Sequence, residues 1–90
     1  MSSIDTADRY ELHPQVAIRP ERFGALAYHF GNRKLTFLKA VPLVQLVERL
    51  GDFESVDAAL VSAGITQNQR TQYVRTLAAL ADSEVIRVVS

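Results

Sequence analysis

The spacing of apolar residues changes once along this chain, from a period of about two to a period of about 3.6. Over residues 13–40 large apolar side chains recur at every second position within short segments, as they do in pleated strands. From residue 43 onward they follow the faces of amphipathic helices. Residues 1–12 contain few apolar groups and predict a flexible N-terminal lead-in. We therefore expect a single domain over residues 13–90, in which strands precede helices.

Three short strands are predicted in the alternating region. The first contains Val16 and Ile18 and closes at Pro20, which lacks a backbone N–H donor. The second covers residues 25–30, with odd-numbered and even-numbered side chains on opposite faces, and the third covers residues 35–38. Because turn-forming residues separate these segments, we expect an antiparallel meander with a free edge.

Three helices are predicted after the strands. The first begins near Pro42, which suits a first helical turn, and ends at Gly51. The second has Ser55 as its N-cap and ends at Gly64. The third covers residues 67–82 and begins with a capping box. The last two resemble a helix-turn-helix, so the predicted fold class is α+β, a winged helix-turn-helix-like domain with an N-terminal three-stranded antiparallel sheet followed by three helices.

The placement of the C-terminal tail stays open at this point. Residues 85–89 are rich in β-branched side chains. They predict either an added strand or a tail that seals the bottom of the core.

Composition excludes several function classes. A chain of 90 residues is one small domain and leaves little room for a deep enzymatic cleft. The chain contains no cysteine, so it has no thiol nucleophile and no thiolate ligand for a metal. His29 has no acidic neighbour in sequence, and no common catalytic motif occurs. We therefore predict a protein without intrinsic catalysis, cofactor or metal. No apolar run approaches the roughly 20 residues that span a bilayer, which predicts a cytoplasmic protein with no membrane partner.

Charge is balanced overall but unevenly distributed. Residues 19–39 contain one acid, Glu21, and five cations: Arg19, Arg22, Arg33, Lys34 and Lys39. These charges either solvate the outer face of the strands or attract an acidic peptide. The candidate recognition helix offers only Arg70 and Arg75 as cations, and the preceding helix is acidic. Since DNA affinity depends on clustered cations, nucleic acid is not a predicted partner, and a winged-helix DNA-binding regulator is the alternative function.

The alternating region contains the segments HPQVAIRPE, FGALAYHFG and LTFLK, in this order and with short spacings. Together they resemble the peptide chaperones of the mycofactocin system, small members of the PqqD-like family of RiPP recognition elements. Residues 41–84 are similar to this family in their helical pattern only. The resemblance implies a non-catalytic chaperone that binds the leader region of the mycofactocin precursor peptide by strand addition. It also implies a radical SAM maturase as the partner that receives the peptide and holds all cofactors.

The resemblance also implies a peptide-binding site, because in PqqD-like domains the leader joins the third strand and lies against the third helix. On this chain the pairing edge becomes Lys34, Leu35, Thr36, Phe37 and Leu38, and the helical wall becomes Arg70, Tyr73, Val74 and Leu77. The spacing of Phe37, Tyr73 and Leu77 describes core packing as well as a groove. Which face of the third strand is inward, where the maturase binds, and the oligomeric state stay open.

Overall fold

The computed structural model describes residues 4–89, and the three predicted strands and three predicted helices follow one another in the predicted order. The elements are β1 (Tyr10–Leu12), β2 (Val16–Glu21), β3 (Gly24–His29), β4 (Leu35–Leu38), α1 (Val41–Arg49), a 3-10 turn (Leu50–Asp52), α2 (Val56–Ser62), α3 (Gln67–Asp82) and β5 (Ile86–Val88). An antiparallel sheet followed by three helices confirms the α+β fold class. No helix within residues 4–89 is long and apolar enough to cross a membrane.

The main sheet has the strand order β2-β3-β4, with all pairs antiparallel, so β2 and β4 are its edges. A two-residue turn joins β2 to β3 and ends at Gly24, whose φ is +151°. A side chain at Gly24 would run into the carbonyl oxygen of Leu38, so the close approach of these strands requires glycine here. In the turn before β4 the positive φ falls on Arg33 rather than on Gly31 or Asn32.

A second, smaller sheet pairs the two ends of the described chain. β1 and β5 are antiparallel, with Glu11 opposite Arg87, and these two side chains form an ion pair at 2.8 Å. The guanidinium of Arg9 donates to the Gly51 carbonyl at 2.9 Å. The C-terminal tail therefore adds a strand, and its partner lies within the segment predicted as a flexible lead-in.

α2 and α3 begin where their N-caps predict. Ser55 accepts a hydrogen bond from the backbone N–H of Ala58 at 3.1 Å, which satisfies one orphan donor of α2. The backbone N–H of Thr66 donates to Gln69 Oε1 at 3.2 Å at the start of α3. α3 covers the predicted residues, Gln67–Asp82. Local capping chemistry therefore accounts for both helix starts.

The core lies between one face of the main sheet and the three helices. Ala25 and Ala27 of β3 and Leu38 of β4 are fully buried, and α1 packs over these strands. The buried helical side chains are Leu43, Val44, Leu46, Val47, Val56, Ala59, Leu60, Leu77, Ala78 and Leu80. Since the alternate residues of β3 and β4 point the other way, the sheet has an inner, buried face and an outer face.

Candidate functional site

The backbone of β4 pairs with β3 through every second residue only. The backbone N–H of His29 donates to the Lys34 carbonyl at 3.0 Å. In an antiparallel ladder the hydrogen-bonded pairs recur at alternate positions, so this bond places Leu38 among the residues that pair with β3. Leu35 and Phe37 therefore direct their N–H and C=O groups away from the sheet. Within residues 4–89 no strand lies along that side of β4.

The side chains of β4 alternate between the two faces of the sheet. Leu38 is buried and Thr36 half-buried, whereas Leu35 and Phe37 are exposed. The inward face of this strand is therefore the one that carries Thr36 and Leu38. The edge presents unpaired backbone groups at the same two residues whose side chains lie on the outer face.

A cavity of about 290 Å³ lies beside this edge, between the end of β4 and α3. Its lining residues are Phe37, Lys39, Ala40, Leu43, Gln72, Tyr73 and Thr76. The rings of Phe37 and Tyr73 and the side chain of Leu43 give it apolar walls, and an exposed lysine lies at its rim. A strand paired on the β4 edge would place alternate side chains beside this cavity, which suits an apolar peptide side chain.

A second cavity, of about 240 Å³, lies between α1 and α2. Pro42, Leu46, Phe53 and Ala59 are among its lining residues, and none of them belongs to a strand. It therefore offers no backbone edge to an extended peptide, and the cavity beside β4 is the better candidate for peptide binding.

The structure brings some of the predicted site residues together. Phe37 and Tyr73, from the strand and from the helix, line the same cavity. Lys34, Leu35 and Thr36 lie along β4 or directly before it, and Lys34 is exposed. Leu35 and Phe37 present unpaired backbone groups at the predicted edge, whereas Lys34 and Thr36 direct theirs toward β3.

The remaining predicted residues lie elsewhere. Leu38 and Leu77 are fully buried in the core, and Val74 is half-buried and packs against it. Of the three residues whose spacing fits both core and groove, Phe37 and Tyr73 therefore line the cavity, and Leu77 belongs to the core. Arg70 is turned toward α2 and is not among the residues that line the cavity.

Arg70 ties the start of α3 to the start of α2. Its guanidinium donates to Asp57 Oδ1 in an ion pair, and it lies 3.4 Å from Thr6 Oγ1. The hydrogen bond from Arg70 holds the pKa of Asp57 below its ordinary value of 3.8. Asp57 also lies in the first turn of α2, where a negative charge is favourable. Arg70 therefore has a structural partner within the domain.

A protein-family model and several named proteins match most of this chain. The model of the Peptide chaperone MftB family matches residues 9–87. The chain belongs to this family. Proteins named peptide chaperone MftB from Mycobacterium tuberculosis and Mycolicibacterium smegmatis are 42% and 46% identical to it over 85 and 84 residues. These matches cover 94% and 93% of this chain, and 78% and 82% of those proteins.

A protein of the same name from Mycobacterium ulcerans is 44% identical over 84 residues, which cover 93% of this chain and 77% of that protein. No solved structure matches the chain. Membership of the MftB family confirms the resemblance found in the alternating region of the sequence. MftB proteins are peptide chaperones and not enzymes, so the prediction of a non-catalytic protein is also confirmed.

Sequence reasoning missed much of the cavity lining in this MftB-family domain. Thr76 lies three residues after Tyr73, so helical periodicity from Tyr73 contained the signal for Thr76. Gln72 lies one turn before Thr76 and follows from it in the same way. Lys39 and Ala40 continue the chain from β4 into α1. The contribution of α1 to the cavity depends on how that helix packs, and no local pattern predicts it.

His29, at the end of β3, is buried and hydrogen-bonded to the turn that follows it. His29 is 3% exposed, and its Nδ1 accepts hydrogen bonds from the backbone N–H groups of Gly31 at 3.0 Å and Asn32 at 3.1 Å. Its ring lies 4.4 Å from that of His13, centroid to centroid. Burial, followed by the nearby His29, lowers the pKa of His13. In this MftB-family chain His29 therefore holds the turn that leads into β4.

Proposed function

We propose that this chain is a non-catalytic peptide chaperone that binds the leader region of the mycofactocin precursor peptide by strand addition to β4 and presents it to a radical SAM maturase. The observation that carries the proposal is the open edge of β4. Leu35 and Phe37 direct unpaired backbone groups to that edge, beside a cavity lined by Phe37 and Tyr73. An extended peptide would satisfy these groups as a fourth strand.

Edge pairing alone does not supply enough free energy for a stable complex. The N–H and C=O groups of Leu35 and Phe37 allow four hydrogen bonds, each with a net value of about 0.5–1.5 kcal/mol. Association costs roughly 4–15 kcal/mol of lost translational and rotational freedom. Burial of one leucine-sized or phenylalanine-sized peptide side chain adds about 1.5–3 kcal/mol. The cavity therefore has to contribute affinity as well as specificity, and we expect the leader to carry an apolar anchor.

Delivery to the maturase would act through effective concentration. A leader held on the chaperone keeps the reactive end of the precursor near the maturase without new contacts at that end. Iron–sulfur clusters are held by cysteine thiolates, and this chain contains no cysteine. The maturase would therefore supply the clusters and S-adenosylmethionine, and this chain would supply peptide binding only.

The DNA-binding alternative receives no support from the charges of α3. Arg70, one of the two cations considered for phosphate contacts, is paired with Asp57. A recognition helix with so few cations lacks the electrostatic attraction on which DNA affinity depends.

Calorimetry tests the proposed function directly. Purified protein is titrated with the mycofactocin precursor peptide, with the same peptide lacking its leader, and with a random DNA duplex. We expect saturable binding of the complete precursor and no heat from the other two. Equal binding of the leaderless peptide would contradict leader recognition. DNA binding with a steep salt dependence, in the absence of precursor binding, would favour the regulator.

A further inference from the structure

The outer face of the main sheet carries a continuous group of large apolar side chains. We call it the outer patch and define it as Phe23, Leu26, Tyr28, Phe30, Leu35 and Phe37. The most exposed members are Phe30 at 61%, Phe37 at 56%, Leu35 at 54% and Phe23 at 47%. Antiparallel sheets with one face in water normally place polar residues on that face. The outward positions of β3 and β4 break this rule.

The register of the strands makes the outer patch contiguous. Leu26 lies opposite Phe37, and Tyr28 lies opposite Leu35. The rings of Phe23 and Phe37 meet edge to face with centroids 5.9 Å apart, and those of Tyr28 and Phe30 do so at 5.1 Å. Contiguous exposed patches of this kind mark interaction surfaces, whereas single exposed apolar residues do not.

The perimeter of the outer patch is cationic. Arg19 lies opposite Leu26 on the outer face of β2 and makes only a long contact, 3.7 Å, with Glu21. The other cations lie in the two turns and at the end of β4: Arg22, Arg33, Lys34 and Lys39. Glu21 is the one acidic residue between positions 19 and 39. A partner that covers the apolar centre would therefore gain from acidic side chains around its own apolar contact surface.

A second copy of the chain is a poor occupant of this surface. In a two-fold symmetric dimer the same patch faces itself, so the cations of one copy would meet those of the other. The acidic residues of this chain lie mainly outside the sheet, for example at Glu48, Asp52 and Glu54. Charge complementarity thus favours a different protein.

We propose that the outer patch is the docking surface for the maturase, which would present apolar side chains surrounded by aspartate and glutamate. This inference rests on the proposed function. Phe37 belongs both to the outer patch and to the cavity beside the peptide edge. A maturase docked on the outer patch would therefore lie directly beside a leader held on β4. Peptide and maturase would occupy neighbouring surfaces at the same time.

The test uses a patch variant and a matched control variant. The patch variant is Phe30→Ser with Arg19→Glu, two exposed positions outside the peptide edge and the cavity. The control is Val61→Ser with Arg49→Glu, which makes the same kinds of change on α2 and α1; Val61 is 76% exposed. Binding of the leader peptide and of the intact holo-maturase is measured separately by calorimetry, the latter at 50 and 300 mM salt.

We expect both variants to bind the leader within about twofold of wild type. The patch variant should bind the maturase at least about tenfold more weakly, as loss of an aromatic anchor commonly does, and the control within about twofold. The wild-type affinity for the maturase should fall with salt, and this fall should be smaller in the patch variant because one attracting charge is reversed. Unchanged maturase affinity in the patch variant would overturn the inference.

Three further outcomes separate the inference from the proposed function. Absence of leader binding by wild type would defeat the proposed function, whatever the maturase result. Leader binding without any maturase binding would overturn the inference and leave peptide capture standing. Sedimentation and a vesicle assay with anionic lipid address the other occupants. A dimer, or vesicle binding, that only the patch variant loses, together with unchanged maturase affinity, would assign the outer patch to a second copy or to a membrane and overturn the inference.

Discussion

Replacement of Phe37 by proline removes one backbone N–H from the open edge of β4. The amide of Phe37 points away from β3, whereas that of Leu38 lies on the side paired with Ala25. Phe37→Pro therefore takes no hydrogen bond from the sheet, and edge strands are where proline is tolerated. Phe37→Ala is the matched control, because it removes the same ring and keeps the amide.

The difference between the two Phe37 variants isolates a single hydrogen bond to the peptide. Without the donor, the partner carbonyl on the peptide is left unsatisfied, at a cost of about 1–3 kcal/mol. This range corresponds to about a 5-fold to 150-fold difference in Kd. Phe37 is exposed, so water reaches a released carbonyl, and we expect the lower end of the range. Both variants should also lose affinity through the missing ring, which lines the cavity.

The assay is a calorimetric titration of wild type, Phe37→Ala and Phe37→Pro with the precursor peptide, in that expected order of affinity. Circular dichroism and thermal melting establish that all three proteins are folded. Leu38→Pro serves as a contrast, because it removes a donor that the sheet itself uses, and we expect it to melt at a lower temperature than Phe37→Pro.

Equal affinity of folded Phe37→Pro and Phe37→Ala would refute the reasoning. The peptide would then not pair with the Phe37 amide, and strand addition at β4 would lose its main support. The edge formed by β2 would become the next candidate, since it is the other edge of the same sheet.

Three stability predictions follow from other contacts. Leu77→Ala, at a fully buried position, should lower the free energy of unfolding by about 2–5 kcal/mol in urea denaturation; exposed Val61→Ala should change it by less than about 0.5 kcal/mol, and similar values for both would contradict the buried placement. Gly24→Ala should lower the free energy of unfolding by more than about 1 kcal/mol, because φ at position 24 is positive and the new Cβ would meet the β4 backbone. A variant that melts at the wild-type temperature would contradict this. The stability that Asp57 gains from Arg70 is present above the ordinary pKa of 3.8 and lost as pH falls through the lowered value. The melting temperature of Asp57→Asn should therefore fall less steeply than that of wild type as the pH is lowered below about 4. Equal dependence of melting temperature on pH in the two proteins would argue against this.

Features set by neighbours in the chain were predictable from sequence. The alternation over β4 predicts residues 35–38, and the structure has the strand at Leu35–Leu38. The start of α3 follows from the hydrogen bond between Thr66 and Gln69, residues within one helical turn of each other. The sequence did not predict whether the side chain of Leu35 points outward or inward, because a period of two describes both faces equally.

In the candidate site, sequence spacing did not separate residues that line the cavity from residues of the core. Tyr73 and Leu77 lie one turn apart on the same side of α3, yet Tyr73 lines the cavity and Leu77 is buried in the core. Their spacing is the same in either role, and only the tertiary packing around α3 separates them. Arg70 was considered for a peptide carboxylate, and its partner Asp57 lies on another helix.

The sequence by itself determined the order of the three main-sheet strands and the three helices, and the bounds of β4 and α3, because periodicity and caps are local properties. It also determined the family, through short segments of the alternating region. The tertiary structure decided the partner of the C-terminal tail, since the contact between Glu11 and Arg87 joins residues 76 positions apart. It also decided which backbone N–H and C=O groups of β4 are left unpaired at the sheet edge. That choice depends on the register with β3, and a shift of one residue would reverse it.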